Sequence, residues 1–198
     1  MSMYAVAIDH TLAGHHLDLL TKMFELRRRV LDNSHCDAPV SSDVEFDIYD
    51  MLKPTYLLAM SEEDLVGCVR LLPTTGPTML RDTFATRLGP NQIPSGPTIL
   101  ESSRFCIASK CASDFDRNGL SRVAYVLFAA MIETMWNLSA QSIVMMTDLR
   151  TEHGLNRAGW PMQRLASPQL SGGTMLVPGL LQGSSEALER MYRHANVR

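Results

Sequence analysis

The stretch Ile99-Leu100-Glu101-Ser102-Ser103-Arg104-Phe105-Cys106-Ile107 decides how this chain reads. Apolar ends and a charged middle predict a central strand. Ile99, Glu101, Ser103 and Phe105 fall on one face, and Leu100, Ser102, Arg104 and Cys106 on the other. A carboxylate and a guanidinium inside one such strand are costly unless paired or hydrogen-bonded. Such a pair is either a structural ion pair or part of a site.

Working outward, two more arginines interrupt apolar patterns. Leu17 to Leu31 predicts a helix with Leu20, Met23, Phe24 and Leu31 on one stripe, and Arg27 sits on that stripe. At the edge of a stripe an Arg can also snorkel to water. Arg70 lies among Val66, Cys68, Val69, Leu71 and Leu72, in the second of two strands read at Thr55–Met60 and Leu65–Leu72. Between helix and strands, Val44 to Tyr49 alternates. Val44, Phe46 and Ile48 take one side, Glu45, Asp47 and Tyr49 the other, and Asp50 closes the segment. Three arginines (Arg27, Arg70, Arg104) thus match three acids (Asp47, Asp50, Glu101). A balanced set suits a small zwitterion, because Arg grips carboxylates bidentately and carboxylates attract cationic centres. A purely structural ion network is the competing reading.

The remaining pattern predicts a strand at Tyr4–Ile8, a loop at Asn33–Asp43, a short helix or turn at Thr78–Leu88 and a loop at Gly89–Pro97. A long helix follows at Leu120–Leu138, then a buried strand at Ser142–Thr147 and a helix at Arg150–Ala158 ended by Gly159. Two late strands, Pro161–Ala166 and Thr174–Leu181, flank a Gly172-Gly173 turn. A last helix is capped by Ser184 or Ser185. This order predicts one α/β domain, 1–198, with a mixed sheet and helices on both faces.

Composition narrows the function. The chain has 198 residues, 45% hydrophobic and 20% charged, with net charge −3, which argues against a general nucleic-acid or membrane binder. Val123 to Ile132, the longest apolar run, is too short to span a bilayer. Neither a basic n-region nor an apolar h-region opens the chain, so a cytoplasmic location is expected. Four cysteines without CxxC spacing, and six His without a ligand pattern, predict reduced thiols and no metal site. Thirteen Met suit core packing or a flexible acyl pocket.

Five blocks carry a resemblance. They are Met23-Phe24-Glu25-Leu26-Arg27, Glu45-Phe46-Asp47-Ile48-Tyr49-Asp50, Val69-Arg70-Leu71-Leu72-Pro73-Thr74, Met79-Leu80-Arg81-Asp82-Thr83-Phe84 and Leu100-Glu101-Ser102-Ser103-Arg104-Phe105. In order and spacing they resemble the acyl-homoserine-lactone synthases (LuxI-type autoinducer synthases) from about Leu20 to Trp160. The resemblance implies a GNAT-like acyltransferase fold, a twisted mixed sheet splayed in the middle. It also implies that S-adenosylmethionine supplies an amine as substrate, and that acyl carrier protein or coenzyme A supplies an acyl chain. The products are a quorum-sensing lactone and methylthioadenosine, with no tightly bound cofactor.

By the same resemblance Glu101 is the base, with Ser103 and Arg104 beside it. Arg27, Leu31, Asp47, Asp50, Arg70, Ser103 and Arg104 surround S-adenosylmethionine. Phe84, Phe105, Met145 and Met146 line the acyl side. Acyl carrier proteins are acidic, so Arg150, Arg157 and Arg164, with Arg117 and Arg122, are candidate docking residues; isolated surface arginines are the alternative. Two positions depart from the family. Leu31 stands where a Phe is usual, and His35-Cys36-Asp37-Ala38 where a Trp is usual. Met145 or Met146 replaces a Thr common in members that favour 3-oxo chains, which leans towards an unsubstituted chain. A GNAT-like N-acyltransferase that does not lactonise, and a non-catalytic binding protein of the same fold, are the rival readings. An ordinary coenzyme-A acetyltransferase is disfavoured by the absence of an [Arg/Gln]-x-x-Gly-x-[Gly/Ala] loop.

Overall fold

The computed structural model describes residues 2–32, 44–88, 93–112 and 115–196. The loop expected at 33–43 and residues 89–92 of the Gly89–Pro97 loop lie outside these, as does the side chain of Phe84. Eight strands form one sheet in the order β1-β2-β3-β4-β5-β8-β6, where β6 is Gln163–Arg164, and β7 (Gln169–Ser171) pairs with β8. β1 (Met3–Ile8), β2 (Thr55–Ser61), β3 (Asp64–Pro73) and β4 (Ile99–Ile107) pair antiparallel in sequence order. β5 (Ser142–Asp148) joins β4 in parallel, and β8 (Thr174–Gln182) returns antiparallel on β5. The strand predicted at Ile99–Ile107 occupies those residues, in the middle of the sheet.

Strand alternation divides the core. Leu57 and Ala59 of β2 join the cluster around α4 (Arg122–Asn137), whereas Tyr56, Leu58 and Met60 join the cluster under α1 (Leu17–Asp32). Arg27 sits on the buried side of α1, beside Met23 and Leu26. α4 is buried on nearly every side, beyond the single stripe its sequence suggests, because α6 (Ser185–Ala195) packs along it. Gly67 permits the close approach of α4: a Cβ there would lie 2.7 Å from Val123 Cγ1.

Two features shape the middle of the sheet. The β4–β5 ladder runs only from Ile99↔Ser142 to Ser102↔Met145, after which β4 pairs with β3 alone and β5 with β8 alone. The sheet is therefore splayed beyond Ser102. Between Cys68↔Cys106 and Arg70↔Ser103 the β3–β4 register shifts by one residue, and Arg104 takes φ +55°. This bulge reverses the alternation expected for β4. Phe105 packs towards α4 and Cys106 towards α1, opposite to the faces that strict period-two counting assigns.

Further differences have local causes. Val44–Tyr49 is not a strand. Ile48–Met51 forms a short 3-10 turn capped by Asp47, whose Oδ1 accepts the Tyr49 N–H at 2.9 Å. Its burial is also inverted: Phe46 and Ile48 are 54% and 64% exposed, while Glu45 and Tyr49 are buried. The Gly172-Gly173 turn joins Thr174–Gln182 to β7 (Gln169–Ser171), and of Pro161–Ala166 only Gln163–Arg164 (β6) is strand. Ser184, of the two candidate caps, accepts the Ala187 N–H.

Candidate active site

The three arginines converge on the face of the sheet under α1. Arg27 donates from Nε to Glu45 Oε2 at 2.5 Å and bidentately to Asp50, at 2.8 and 3.0 Å. Arg70 donates from Nη1 to Asp47 Oδ1 at 2.6 Å and Asp50 Oδ1 at 2.9 Å, and from Nε to Ser103 Oγ at 3.0 Å. Arg104 donates from Nε to Glu45 Oε1 at 2.8 Å, and its Nη2 lies 2.8 Å from Asp47 Oδ2 as an ion pair. The bulge makes this convergence possible. Regular alternation would turn Arg104 away from Ser103; φ +55° keeps both on one side.

The 3-10 turn is the other half of the arrangement. Asp47 and Asp50 cap it reciprocally, Asp50 Oδ2 accepting the Asp47 N–H at 2.8 Å. Two buried guanidinium groups, Arg27 and Arg70, and the partly buried Arg104 demand counter-charges, so the acid side of Glu45–Asp50 turns inward. Burial opposes ionisation of Asp50, but hydrogen bonds and charge from Arg27, with Arg70, hold its carboxyl at about 2. Tyr56 adds a hydroxyl donor to Asp50 Oδ1 at 2.8 Å.

Glu101 stands apart from this neutralised set. It is 1% exposed and accepts two backbone N–H groups from the start of α2 (Met79–Leu88): Leu80 at 2.6 Å and Met79 at 3.1 Å. Burial pushes its carboxyl above the ordinary value, against the pull of the Leu80, Thr78 and Met79 bonds and of Arg70. Met79 links the two groups, its Sδ lying 3.1 Å from Arg104 Nη1. Three arginines against Glu45, Asp47 and Asp50 leave one surplus acid, Glu101, next to the strand's opening.

Other expected residues are distributed differently. Leu31 packs at the margin of the α1 cluster. Met145 and Met146 lie on opposite faces of β5. Met145 belongs to the α4 core, and Met146 to a small cluster with Leu80, Ile93 and Val144. One substrate chain on one face therefore meets only one of them. Phe105 stacks on Phe128 with ring centroids 5.0 Å apart, at a cleft of about 200 Å³ on the α4 face. Arg150 lies over the Phe115 ring, 3.8 Å to its centroid, at the same cleft. Arg157 and Arg164 are tied within the protein, to the Asn118 carbonyl and, at 2.7 Å, to buried Glu152. Arg122 donates to the Ala195 carbonyl at 2.6 Å, and Arg117 is exposed.

Two contributors escaped sequence reasoning. Glu45 bridges Arg27 and Arg104, and its parity with Asp47 in the alternating segment was the available signal. The Met79 and Leu80 backbone donors have no side-chain signature. Among the described residues no group of His, Cys, Asp and Glu is arranged to hold a metal ion, Cys68, Cys106 and Cys111 are free thiols, and no helix is long and apolar enough to cross a membrane.

The chain's likenesses give the class of protein that this splayed mixed sheet belongs to, the acyltransferases. The family model described as autoinducer synthase matches residues 10–191. A probable acyl-homoserine-lactone synthase of Sinorhizobium fredii is 36% identical over 99% of this chain and 95% of its own. The crystal structure of the AHL synthase LasI superposes with TM-score 0.84 at 26% identity, covering 97% of this chain and 95% of that one. BjaI, a CoA-dependent acyl-homoserine lactone synthase solved with SAM and isopentyl-CoA, gives 0.87 at 22% identity, covering 99% and 90%. An acyl-CoA N-acyltransferase from Pseudomonas aeruginosa shares the fold more distantly, with TM-score 0.60 at 13% identity and 90% and 99% coverage. The chain belongs to the autoinducer synthase family, the acyltransferases that make acyl-homoserine-lactone signals for quorum sensing.

Proposed function

We propose that this protein, acting as a single domain, acylates the amine of S-adenosylmethionine from an acyl thioester and then closes the lactone, releasing methylthioadenosine. The observation that carries the assignment of roles is the neutral cluster of three arginines and three acids, with the surplus carboxylate of Glu101 beside the gap between β4 and β5. Arg27 and Arg70, buried and held by acids, brace the pocket. Arg104, the most exposed of the three, faces the substrate carboxylate. Asp47 and Asp50 hold these guanidinium groups in place.

Glu101 accepts a proton from the substrate ammonium or through a water, and a carboxyl raised above its usual range is the better base for it. The free amine attacks the thioester carbonyl. The substrate's own carboxylate then attacks the carbon bearing the sulfonium, an intramolecular step favoured by holding the two ends close. The acyl chain lies on the Met146 side, in the cluster with Leu80, Ile93 and Val144. The thioester arm enters by the α4-face cleft past Phe105 and Arg150. Acyl carrier protein is the donor favoured by Arg150 at that mouth; coenzyme A is the alternative.

The test is mass spectrometry of extracts from cells expressing the protein against a Glu101→Ala control. A lactone seen only with the intact protein supports the reading. N-acyl products without lactone would indicate that Leu31 and the replaced loop Trp had changed the donor.

A further inference from the structure

Among the described residues, Ser102 Oγ is the one buried side-chain oxygen with neither a hydrogen bond nor an ion pair; Asp47 Oδ2, also without a hydrogen bond, faces Arg104. Ser102 is 4% exposed. A buried hydroxyl left unpartnered costs stability, and such groups are rare in folded proteins. Its position is specific. Ser102↔Met145 is the last rung of the β4–β5 ladder, so the hydroxyl stands where the sheet opens.

Ser102 follows Glu101 directly, and consecutive strand residues face opposite sides of a sheet. The bulge lies beyond both, at Arg104, so this alternation holds here. Leu100 and Met145, the like-facing neighbours of Ser102, belong to the α4 core. Glu101 meets the start of α2 on the other side. A group that touches both side chains must therefore lie in the gap just past the Ser102↔Met145 rung. A thioester carbonyl whose arm comes from the α4-face cleft, attacked by an amine held on the Glu101 face, satisfies that condition.

We propose that the Ser102 hydroxyl donates a hydrogen bond to the carbonyl oxygen of the acyl thioester and to the oxyanion that forms from it; this rests on the acyl-transfer reading above. As the N–C bond forms, the carbonyl π electrons move to oxygen and Ser102 holds the charge. The C–S bond then breaks and the carbonyl re-forms; the sulfur leaves as a thiol with the proton that Glu101 took from the ammonium, and the second proton, shed by the nitrogen as the amide forms, passes to solvent. A donor preset at that oxygen acts mainly in the transition state.

Steady-state kinetics of wild type, Ser102→Ala and Ser102→Thr with an acyl-carrier thioester, an acyl-coenzyme A and S-adenosylmethionine, together with their Tm values, test this. Wild-type turnover establishes the underlying reaction; its absence with both donors overturns that reading and this one with it. Given turnover, Ser102→Ala is expected to lower kcat by on the order of 10- to 100-fold. KM for S-adenosylmethionine stays unchanged, and Tm is equal or higher, because an unpartnered hydroxyl has been removed. Ser102→Thr, which keeps the hydroxyl, restores part of kcat. An alanine variant with kcat within twofold of wild type overturns the proposal. So does a rise in donor KM alone, which would place the hydroxyl on the donor's arm.

Discussion

Glu45 Oε1 accepts Arg104 Nε at 2.8 Å across 59 residues of sequence, while the other oxygen of the same carboxylate holds Arg27. One acid thereby sets the spacing of Arg27 and Arg104, the guanidinium groups proposed to brace the pocket and to face the substrate. Glu45→Ala removes the bridge between Arg27 and Arg104, leaving Arg104 with Asp47 and Arg27 with Asp50. Breaking a buried pair by removing one partner costs about 3–5 kcal/mol. The expected result is a lower Tm and at least tenfold weaker binding of S-adenosylmethionine, read by calorimetry. Unchanged affinity would remove Glu45 from the site.

The raised carboxyl of Glu101 has a kinetic signature. A base must be ionised, so kcat/KM should rise with pH through an inflection above the ordinary carboxylate range, with a further rise towards the substrate amine near 8. Glu101→Gln should abolish the lower inflection and reduce turnover by about 10²–10⁴-fold. A variant that keeps the inflection would show that another group is the base.

Asp50 works in the opposite direction. Its folded value, about 2, lies below its model-peptide value of 3.8. Its contribution to stability is therefore present above pH 4 and is lost as pH falls through about 2. Acid titration of ΔG by denaturant unfolding should show this slope in the wild type and a shallower one in Asp50→Asn. Parallel slopes would contradict the assignment.

Met145 and Met146 should respond differently to truncation. Met145→Ala opens the α4 core and should cost about 2–5 kcal/mol. Met146→Ala, in the small cluster beside Leu80, should cost less and shift the product distribution towards longer or bulkier chains. Product profiling by mass spectrometry with paired Tm values separates the two. Identical effects on chain selectivity would reject the division by face.

Arg150 tests the donor. Arg150→Glu reverses charge at the mouth of the α4-face cleft. It should reduce kcat/KM for an acyl-carrier thioester by roughly tenfold, with a steeper response to ionic strength in the wild type. Equal losses with both donors would count against carrier docking at this position.

Elements set by local periodicity were legible from the chain: the helix with Arg27 on its stripe, the strand Ile99–Ile107, the long apolar helix, and the Gly159 and Ser184 caps. Their signals lie within a few residues. The three arginines were legible as anomalies too, because arginines inside apolar patterns conflict with burial wherever they occur, whereas Glu45, which joins two of them, was not. Tertiary structure alone decided how those charges meet. The bulge at Arg104 reverses the faces of β4, and no local pattern announces it, since the shift is a property of two strands in register. The segment Glu45–Asp50 turned its acids inward and its Phe46 and Ile48 outward, because two buried guanidinium groups and a partly buried third, from distant parts of the chain, outweigh the burial of two apolar side chains. Long-range charge pairing and strand register are set between elements, and a linear pattern records only what happens within one.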